Sequence, residues 1–188
     1  FQLLAGYFND NDADELTTDP VFCAVLGKDA LASQPTKSRF FDRLDEDSLV
    51  QLEKIFRILR QKVYGIRPPE NILLDLDSTL LQTYGHQEGE GFNYHYQSHG
   101  YHPLLCFDGL TGDLLKAELR KGTKYCSSDA HLFLESLLNE FLEKYPDTMI
   151  SLRGDSGFAA PEIYDLAETH ACSYAIRLKM NSTLRSLA

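Results

Sequence analysis

The sequence predicts an α/β protein in which a mixed sheet with flanking helices follows a small all-helical region. Apolar residues recur at helical spacing up to residue 66, and short apolar runs typical of buried strands begin only after the Pro68-Pro69 pair. The later strands are separated by helical segments, which is the connection that parallel strands need. A chain of 188 residues suffices for one such domain with a smaller appendage.

The helical region is predicted to span residues 1–66. Asp and Thr residues between residues 9 and 19 are N-cap candidates, and one long segment places apolar side chains on a single helix face. These residues are Leu49, Leu52, Ile55, Phe56 and Leu59. Prolines at 68 and 69 cannot continue the helix, so we expect a second domain over residues 67–188.

The first strand is predicted at Ile72 to Leu76, which is short, apolar and followed by turn-forming residues. The next segment, to about residue 100, is rich in glycine and polar residues, and no strand is predicted in it. From Tyr101 onward, two apolar runs flank the turn from Asp108 to Asp113, which predicts an antiparallel hairpin.

The remaining elements alternate between helix and strand. They are a helix that Ser127 or Ser128 caps and Pro146 ends, a strand around Ile150, a helix from Pro161 to Glu168, and a strand from Ser173 to Leu178. The order is then strand, strand, strand, helix, strand, helix, strand. This order fits a ribonuclease-H-like mixed sheet, in which the first strand lies beside the fourth.

Two aspartates end the strands that this topology makes neighbours. Asp77 follows the first apolar run and Asp155 follows the run around Ile150. We expect their carboxylates to converge, and oxygen ligands of this kind suit Mg²⁺ or Mn²⁺ better than zinc. Asp77 and Asp155 are therefore the predicted catalytic and metal-binding residues. The alternative is that each aspartate only caps a turn.

Three nearby residues are assigned supporting roles or none. Asp75 points to the same face as Asp77 but lies deeper, so it is predicted to position other groups or to be structural. Arg153 either positions a phosphate beside Asp155 or balances its charge. No base that would activate Ser156 is suggested by the spacing, which argues against a serine nucleophile.

Histidines and tyrosines cluster between residues 84 and 102. His86, His95, His99 and His102 raise the alternative of a zinc site, but their spacing matches no zinc pattern. Hydrogen-bonded or solvated histidines are the preferred interpretation. The tyrosines Tyr94, Tyr96 and Tyr101 either stack on bases or a sugar or fill a hairpin core.

Composition limits the other functional classes. A net charge of -10 argues against a general polyanion-binding surface, although the segment after Ile176 carries Arg177, Lys179 and Arg185 without an acid. The four cysteines are scattered, which predicts reduced thiols rather than disulfides. No apolar run of membrane length and no signal region is found, so a cytoplasmic protein without membrane contact is expected.

Long stretches of the chain resemble a known family. They include AGYFNDNDADELTTDPVF, LASQPTKSRF, LDLDST, GHQEGEGFNYHYQSHGYHPLLCFDGLTGDLLKAELRKG and LRGDSGFAAPEIYDLAE. By these marks the chain resembles a DDE transposase of the IS1380 type, a branch related to the IS4-like enzymes. The resemblance implies a ribonuclease-H-like core in a bacterial cytoplasm that uses Mg²⁺ or Mn²⁺ to cut and rejoin DNA.

The resemblance also implies partners and site residues. The DNA would be the terminal inverted repeats of a mobile element and its target, and end recognition would need a second protomer, giving a homodimer. The first two acids of the triad fall on Asp77 and Asp155. The third, a glutamate on a late helix, is not in this chain, because Glu162 and Glu168 come too early in the topology. We therefore expect a fragment with little or no activity alone.

Two other functions stay open. The LLDLDSTL stretch also resembles the first strand of haloacid-dehalogenase-like phosphatases, with Asp75 as nucleophile and Asp77 as acid and base. That resemblance weakens downstream, where Asp155 lacks a following aspartate. A non-catalytic transposase remnant is the third possibility, favoured by the acidic charge and the missing glutamate.

Overall fold

The computed structural model describes residues 1–187, which form two compact units, Phe1–Lys62 and Val63–Ala188. The division lies within the long helix that the sequence predicts to end near residue 66, and the domain boundary at residues 66 and 67 stays a prediction. Among the described residues, no helix has the length and apolar character needed to cross a membrane.

The first unit is helical. After a short 3₁₀ helix it contains α1 (Asp12–Leu16), α2 (Pro20–Leu26), α3 (Gln34–Phe41) and most of α4 (Glu46–Ile66). Asp19 caps α2, because its carboxylate accepts hydrogen bonds from the amides of Val21 and Phe22 at 3.0 and 2.8 Å, and Pro20 occupies the first turn. The apolar side chains of the predicted α4 stripe are all exposed.

The second unit is built on a five-stranded sheet. Its strands are β1 (Asn71–Ser78), β5 (Leu104–Asp108), β6 (Leu114–Glu118), β7 (Met149–Gly154) and β8 (Ser173–Ile176). Their spatial order is β6, β5, β1, β7, β8. Strands β1, β7 and β8 run parallel to one another, and β5 pairs antiparallel with both β1 and β6. This is the order of a ribonuclease-H-like sheet, so the predicted fold class and the neighbouring first and fourth strands are confirmed.

Helices complete the core of this unit. They are α5 (Ala130–Lys144) and α6 (Pro161–Thr169), and a last helix, α7 (Ser182–Leu187), follows β8. Residues of β1 alternate, so that Ile72, Leu74 and Leu76 are buried in one cluster with side chains of α5 and α6. Phe141 and Ile163 are fully buried there. Each such side chain contributes about 1.5–3 kcal/mol on burial, which anchors β1 in the centre of the sheet.

A second, three-stranded sheet occupies the glycine-rich segment for which no strand was predicted. Its strands are β2 (Leu81–Gln82), β3 (Gly91–Asn93) and β4 (Ser98–Tyr101), in the order β2, β4, β3. The sheet depends on close backbone approach, because a Cβ on Gly100 would collide with the carbonyl of Leu81, and one on Gly122 with the carbonyl of Gly91. The sequence feature that indicates this sheet is its glycines, because its strands show no alternation of apolar and polar residues.

The start of α5 also differs from the prediction. The helix begins at Ala130, and its N-cap is Asp129, whose backbone is left-handed at φ 58° and whose side chain makes no capping hydrogen bond. The prediction that Ser127 or Ser128 caps this helix is wrong. The carbonyls of both serines are engaged elsewhere, by the amide of Ala130 and by the Arg120 guanidinium.

Candidate functional site

The two predicted acids lie at the same edge of the main sheet. The parallel strands β1 and β7 pair in a register that ends with Leu76 opposite Gly154. Asp77 follows Leu76 and Asp155 follows Gly154, and both aspartates are exposed. The structure therefore brings Asp77 and Asp155 to neighbouring positions at the ends of β1 and β7.

Backbone amides orient both carboxylates. Asp77 Oδ1 accepts a hydrogen bond from the Ser78 amide at 2.8 Å, and Asp155 Oδ1 accepts one from the Gly157 amide at 2.8 Å. The second bond caps a short 3₁₀ helix, Ser156–Phe158. Within residues 1–187 neither Oδ2 has a hydrogen-bond or ion-pair partner. Each aspartate thus keeps one oxygen available for a cation.

Asp75 is separated from this pair by its own ion pair. Arg153 donates two hydrogen bonds to the Asp75 carboxylate. Its Nε donates to Oδ1 at 2.9 Å, and its Nη2 donates to Oδ2. This contact raises the pKa of the Arg153 guanidinium, so the arginine stays charged. Arg153 is therefore engaged with Asp75 rather than Asp155. A carboxylate held by two hydrogen bonds is a poor nucleophile, which argues against the phosphatase alternative.

Two residues that the sequence did not assign to the site lie beside the acids. The Ser78 hydroxyl donates to the Cys126 thiol, with 3.1 Å between Oγ and Sγ. A Cβ on Gly157 would also lie only 3.0 Å from that sulfur. Tyr96 donates its hydroxyl to the Ser78 carbonyl at 3.4 Å. No sequence signal identified Cys126, because it lies 48 residues from Ser78 in a loop.

The surroundings of Tyr96, including Asp77 and Asp155, raise the pKa of its phenol. Burial raises its pKa most, and the Cys126, Asp77 and Asp155 side chains raise it further, because negative charge on them disfavours the phenolate. A phenolate beside these groups would be repelled, so Tyr96 stays protonated and acts as a hydrogen-bond donor.

Arg120 supports the loop that carries Cys126. Its side chain is 6% exposed and donates from Nε to the His102 carbonyl at 3.1 Å. Its Nη1 donates to the carbonyls of Cys126 and Ser128 at 3.2 and 2.9 Å. Burial lowers the pKa of this guanidinium, and nearby acidic groups partly offset that effect. The arginine is thus a structural brace rather than a surface cation.

The histidines make contacts of their own away from Asp77 and Asp155. His99 Nδ1 lies 2.9 Å from Glu90 Oε2, and His86 Nδ1 lies 3.7 Å from the other oxygen of Glu90. His102 Nδ1 contacts the Lys124 carbonyl at 2.8 Å. In the part of the chain that the structure describes, no group of three or more His, Cys, Asp or Glu side chains is placed to hold a metal ion.

The donors at the sheet edge fit a hard divalent cation in kind. Each of the two carboxylates keeps one oxygen without a hydrogen-bond or ion-pair partner among residues 1–187, and such an oxygen can coordinate a cation. Oxygen ligands favour Mg²⁺ or Mn²⁺, and two of them provide only part of a coordination shell.

The chain is similar to known proteins. A family model described as transposase DDE domain group 1 matches residues 1–188. The chain is similar to the catalytic domain of Mos1 mariner transposase, at 15% identity over 78% of this chain and 67% of that chain, with a TM-score of 0.41. A structure of the Mos1 domain with Raltegravir and Mn gives the same identity and coverage and a TM-score of 0.38. No curated protein matches the sequence.

Proposed function

The chain belongs to the group 1 family of transposase DDE domains and is the catalytic core of such an enzyme, and we propose that Asp77 and Asp155 are its first two metal-binding acids. The observation that carries this proposal is the pairing of β1 with β7, which places both carboxylates at one sheet edge. The reaction is phosphodiester hydrolysis and strand transfer at the ends of a mobile element.

The residues of this chain have distinct tasks in that reaction. Asp77 and Asp155 would hold the cation, and the amides of Ser78 and Gly157 fix the orientation of their carboxylates. When bound, Mg²⁺ or Mn²⁺ supplies Lewis acidity that activates a water or a DNA 3′-hydroxyl and stabilises the leaving oxygen. Asp75 retains Arg153, which keeps the guanidinium from neutralising the site.

The finer assignment follows from the motifs quoted above. We place the chain in the IS1380 type, acting in a bacterial cytoplasm on terminal inverted repeats and target DNA, with a second protomer in the active assembly. With a net charge of -10 the chain has little general basic surface for DNA, so we propose that other parts of the active assembly supply most of it.

The chain alone is proposed to have little or no strand-transfer activity. Residues 1–187 offer two neighbouring acids without a third His, Cys, Asp or Glu placed to complete a metal site. Metal binding by the chain itself should accordingly be weak, because each missing ligand lowers affinity.

The test is a titration with Mn²⁺ and Mg²⁺, followed by calorimetry and by NMR line broadening. The variants are Asp77→Asn and Asp155→Asn, and the matched control is Asp147→Asn, an exposed aspartate just before β7 at the opposite end of the strand. We expect each site variant to weaken binding by about tenfold or more and the control to leave it unchanged.

The outcomes separate the alternatives. Loss in both site variants, with the control unaffected, supports one shared metal site. Binding that survives Asp155→Asn contradicts the proposal. Loss in Asp75→Asn equal to that in Asp77→Asn would instead favour the phosphatase-like use of Asp75.

A further inference from the structure

The turn between β3 and β4 brings aromatic rings next to the acidic site. This turn, residues 93–97, is called the tyrosine turn below and includes Tyr94 and Tyr96. Tyr96 reaches the Ser78 carbonyl, one residue beyond Asp77, and its phenol is within electrostatic range of both acids. Tyr94 lies two residues earlier and is 80% exposed.

The turn is held in one conformation by the side chain of Asn93. Asn93 is 6% exposed, and its Oδ1 accepts hydrogen bonds from the amides of His95 at 3.0 Å and Tyr96 at 3.2 Å. Its Nδ2 donates to the Gly122 carbonyl at 2.8 Å. Gln97 closes the turn in the left-handed region at φ 54°. A turn fixed by a buried amide is preorganised, which lowers the entropy cost of binding.

The rings of the turn pack on neighbouring rings, and Tyr94 stays largely exposed. Tyr96 packs against His95 and His102 with centroid distances of 4.8 and 5.9 Å. Tyr94 meets Phe92 edge to face at 5.1 Å. Tyr94 is 80% exposed and therefore does not fill a hairpin core. For Tyr94 this excludes the alternative that the tyrosines are core residues.

The side chains of the tyrosine turn indicate which kind of ligand it can bind. Residues 93–97 are Asn, Tyr, His, Tyr and Gln, with no Lys or Arg, so the turn offers ring faces and neutral polar groups instead of phosphate-neutralising charge. Aromatic side chains bind bases by stacking, which needs a base whose face is not covered by its neighbours. A duplex hides those faces, whereas an unpaired nucleotide presents them.

We propose that the tyrosine turn binds an unpaired nucleotide beside the scissile phosphate, with Tyr94 stacking on the base and Tyr96 forming the wall next to the acids. The inference rests on the proposed function, because it takes the substrate to be DNA cut at Asp77 and Asp155. It adds that the strand must be locally unpaired at the site.

The experiment measures binding of a fluorescently labelled oligothymidylate of about ten nucleotides by anisotropy, with EDTA present so that no cleavage contributes. The variants are Tyr94→Ala, Tyr94→Phe and Tyr96→Phe in the full chain. The matched control is Tyr84→Ala, because Tyr84 is 83% exposed and follows β2 in the same small sheet. A blunt duplex of the same length serves as the second ligand.

We expect Tyr94→Ala to weaken single-strand binding about tenfold, Tyr94→Phe to retain it, and Tyr84→Ala to leave it unchanged. Fluorotyrosine NMR gives a readout that does not depend on affinity. The oligonucleotide should shift the Tyr94 signal, and Mn²⁺ should broaden the Tyr96 signal more than that of Tyr84.

Several results would overturn the inference. They are no single-strand binding by the wild type, an equal loss in the Tyr84 control, or tighter binding of the blunt duplex. If Mn²⁺ binding is lost in the aspartate variants while Tyr94→Ala has no effect, the metal site stands and only the nucleotide subsite fails. If the metal titration fails, the assignment of Asp77 and Asp155 as metal-binding acids is refuted instead.

Discussion

Replacing Arg120 by methionine should destabilise the second unit and loosen the loop at the acidic site. The guanidinium donates three hydrogen bonds to the carbonyls of His102, Cys126 and Ser128. Hydrogen bonds to a charged group contribute about 1.5–3 kcal/mol each, so their gross loss exceeds 4 kcal/mol. Asn93 and His102 also bond carbonyls of this segment, at Gly122 and Lys124, but among residues 1–187 only Arg120 bonds the carbonyls of Cys126 and Ser128 through its side chain.

Part of this loss in stability is offset, because methionine removes a buried charge. The Arg120 side chain is buried, and its Nη2 has no hydrogen-bond partner within residues 1–187. Removing a desolvated charge without an acidic partner returns a few kcal/mol. We therefore expect a net decrease of about 2–3 kcal/mol in the free energy of unfolding, which lowers the melting temperature by about 10 °C for a unit of this size.

Scanning calorimetry and guanidinium chloride unfolding measure the effect. The matched control is Lys121→Met, because Lys121 is the exposed neighbour of Arg120 and should change stability by no more than about 0.5 kcal/mol. The Cys126 thiol provides a local readout, since alkylation should become faster when its loop is released. An Arg120→Met protein as stable as the wild type, with unchanged alkylation, would refute the role of Arg120 as a brace.

Three further outcomes are expected. Gly122→Ala should cost about 2 kcal/mol by forcing apart the small sheet, seen as faster amide exchange there, whereas Gly65→Ala, with open space around its Cβ position, should not destabilise α4. Asp75→Asn should cost no more than about 1 kcal/mol in unfolding experiments, because its ion pair is partly exposed, and should change Mn²⁺ affinity little in calorimetry. Asp129 has a pKa below its unfolded value because Lys124 donates to it. Its contribution to stability is present above about pH 4 and disappears as the pH falls through the folded pKa, and Asp129→Asn should remove that part of the pH dependence.

The main sheet could be predicted because local signals agreed with the global topology. Short apolar runs identify β1 and β7, and the turn from Asp108 to Asp113 identifies the hairpin of β5 and β6. The helical connections then leave few possible strand orders. The positions of Asp77 and Asp155 at one edge follow from that order without any information on side-chain contacts.

The remaining features depend on contacts between distant segments. Nothing in the spacing shows that Arg153 would pair with Asp75, because that contact depends on the register of two strands. Cys126 and Tyr96 reach the site from loops whose paths are set by Arg120 and Asn93. The small sheet was missed because close backbone packing at glycines, rather than apolar alternation, defines it.

The pairing of β1 with β7 also sets the order in which this unit can fold during synthesis. The hairpin of β5 and β6 joins neighbouring segments and can form early, whereas Asp75 and Arg153 are 78 residues apart. Asp77 is therefore synthesised long before its partner Asp155 emerges from the ribosome. A nascent chain cannot assemble the two acids until β7 has docked, so the capacity to bind metal appears only once most of the sheet exists.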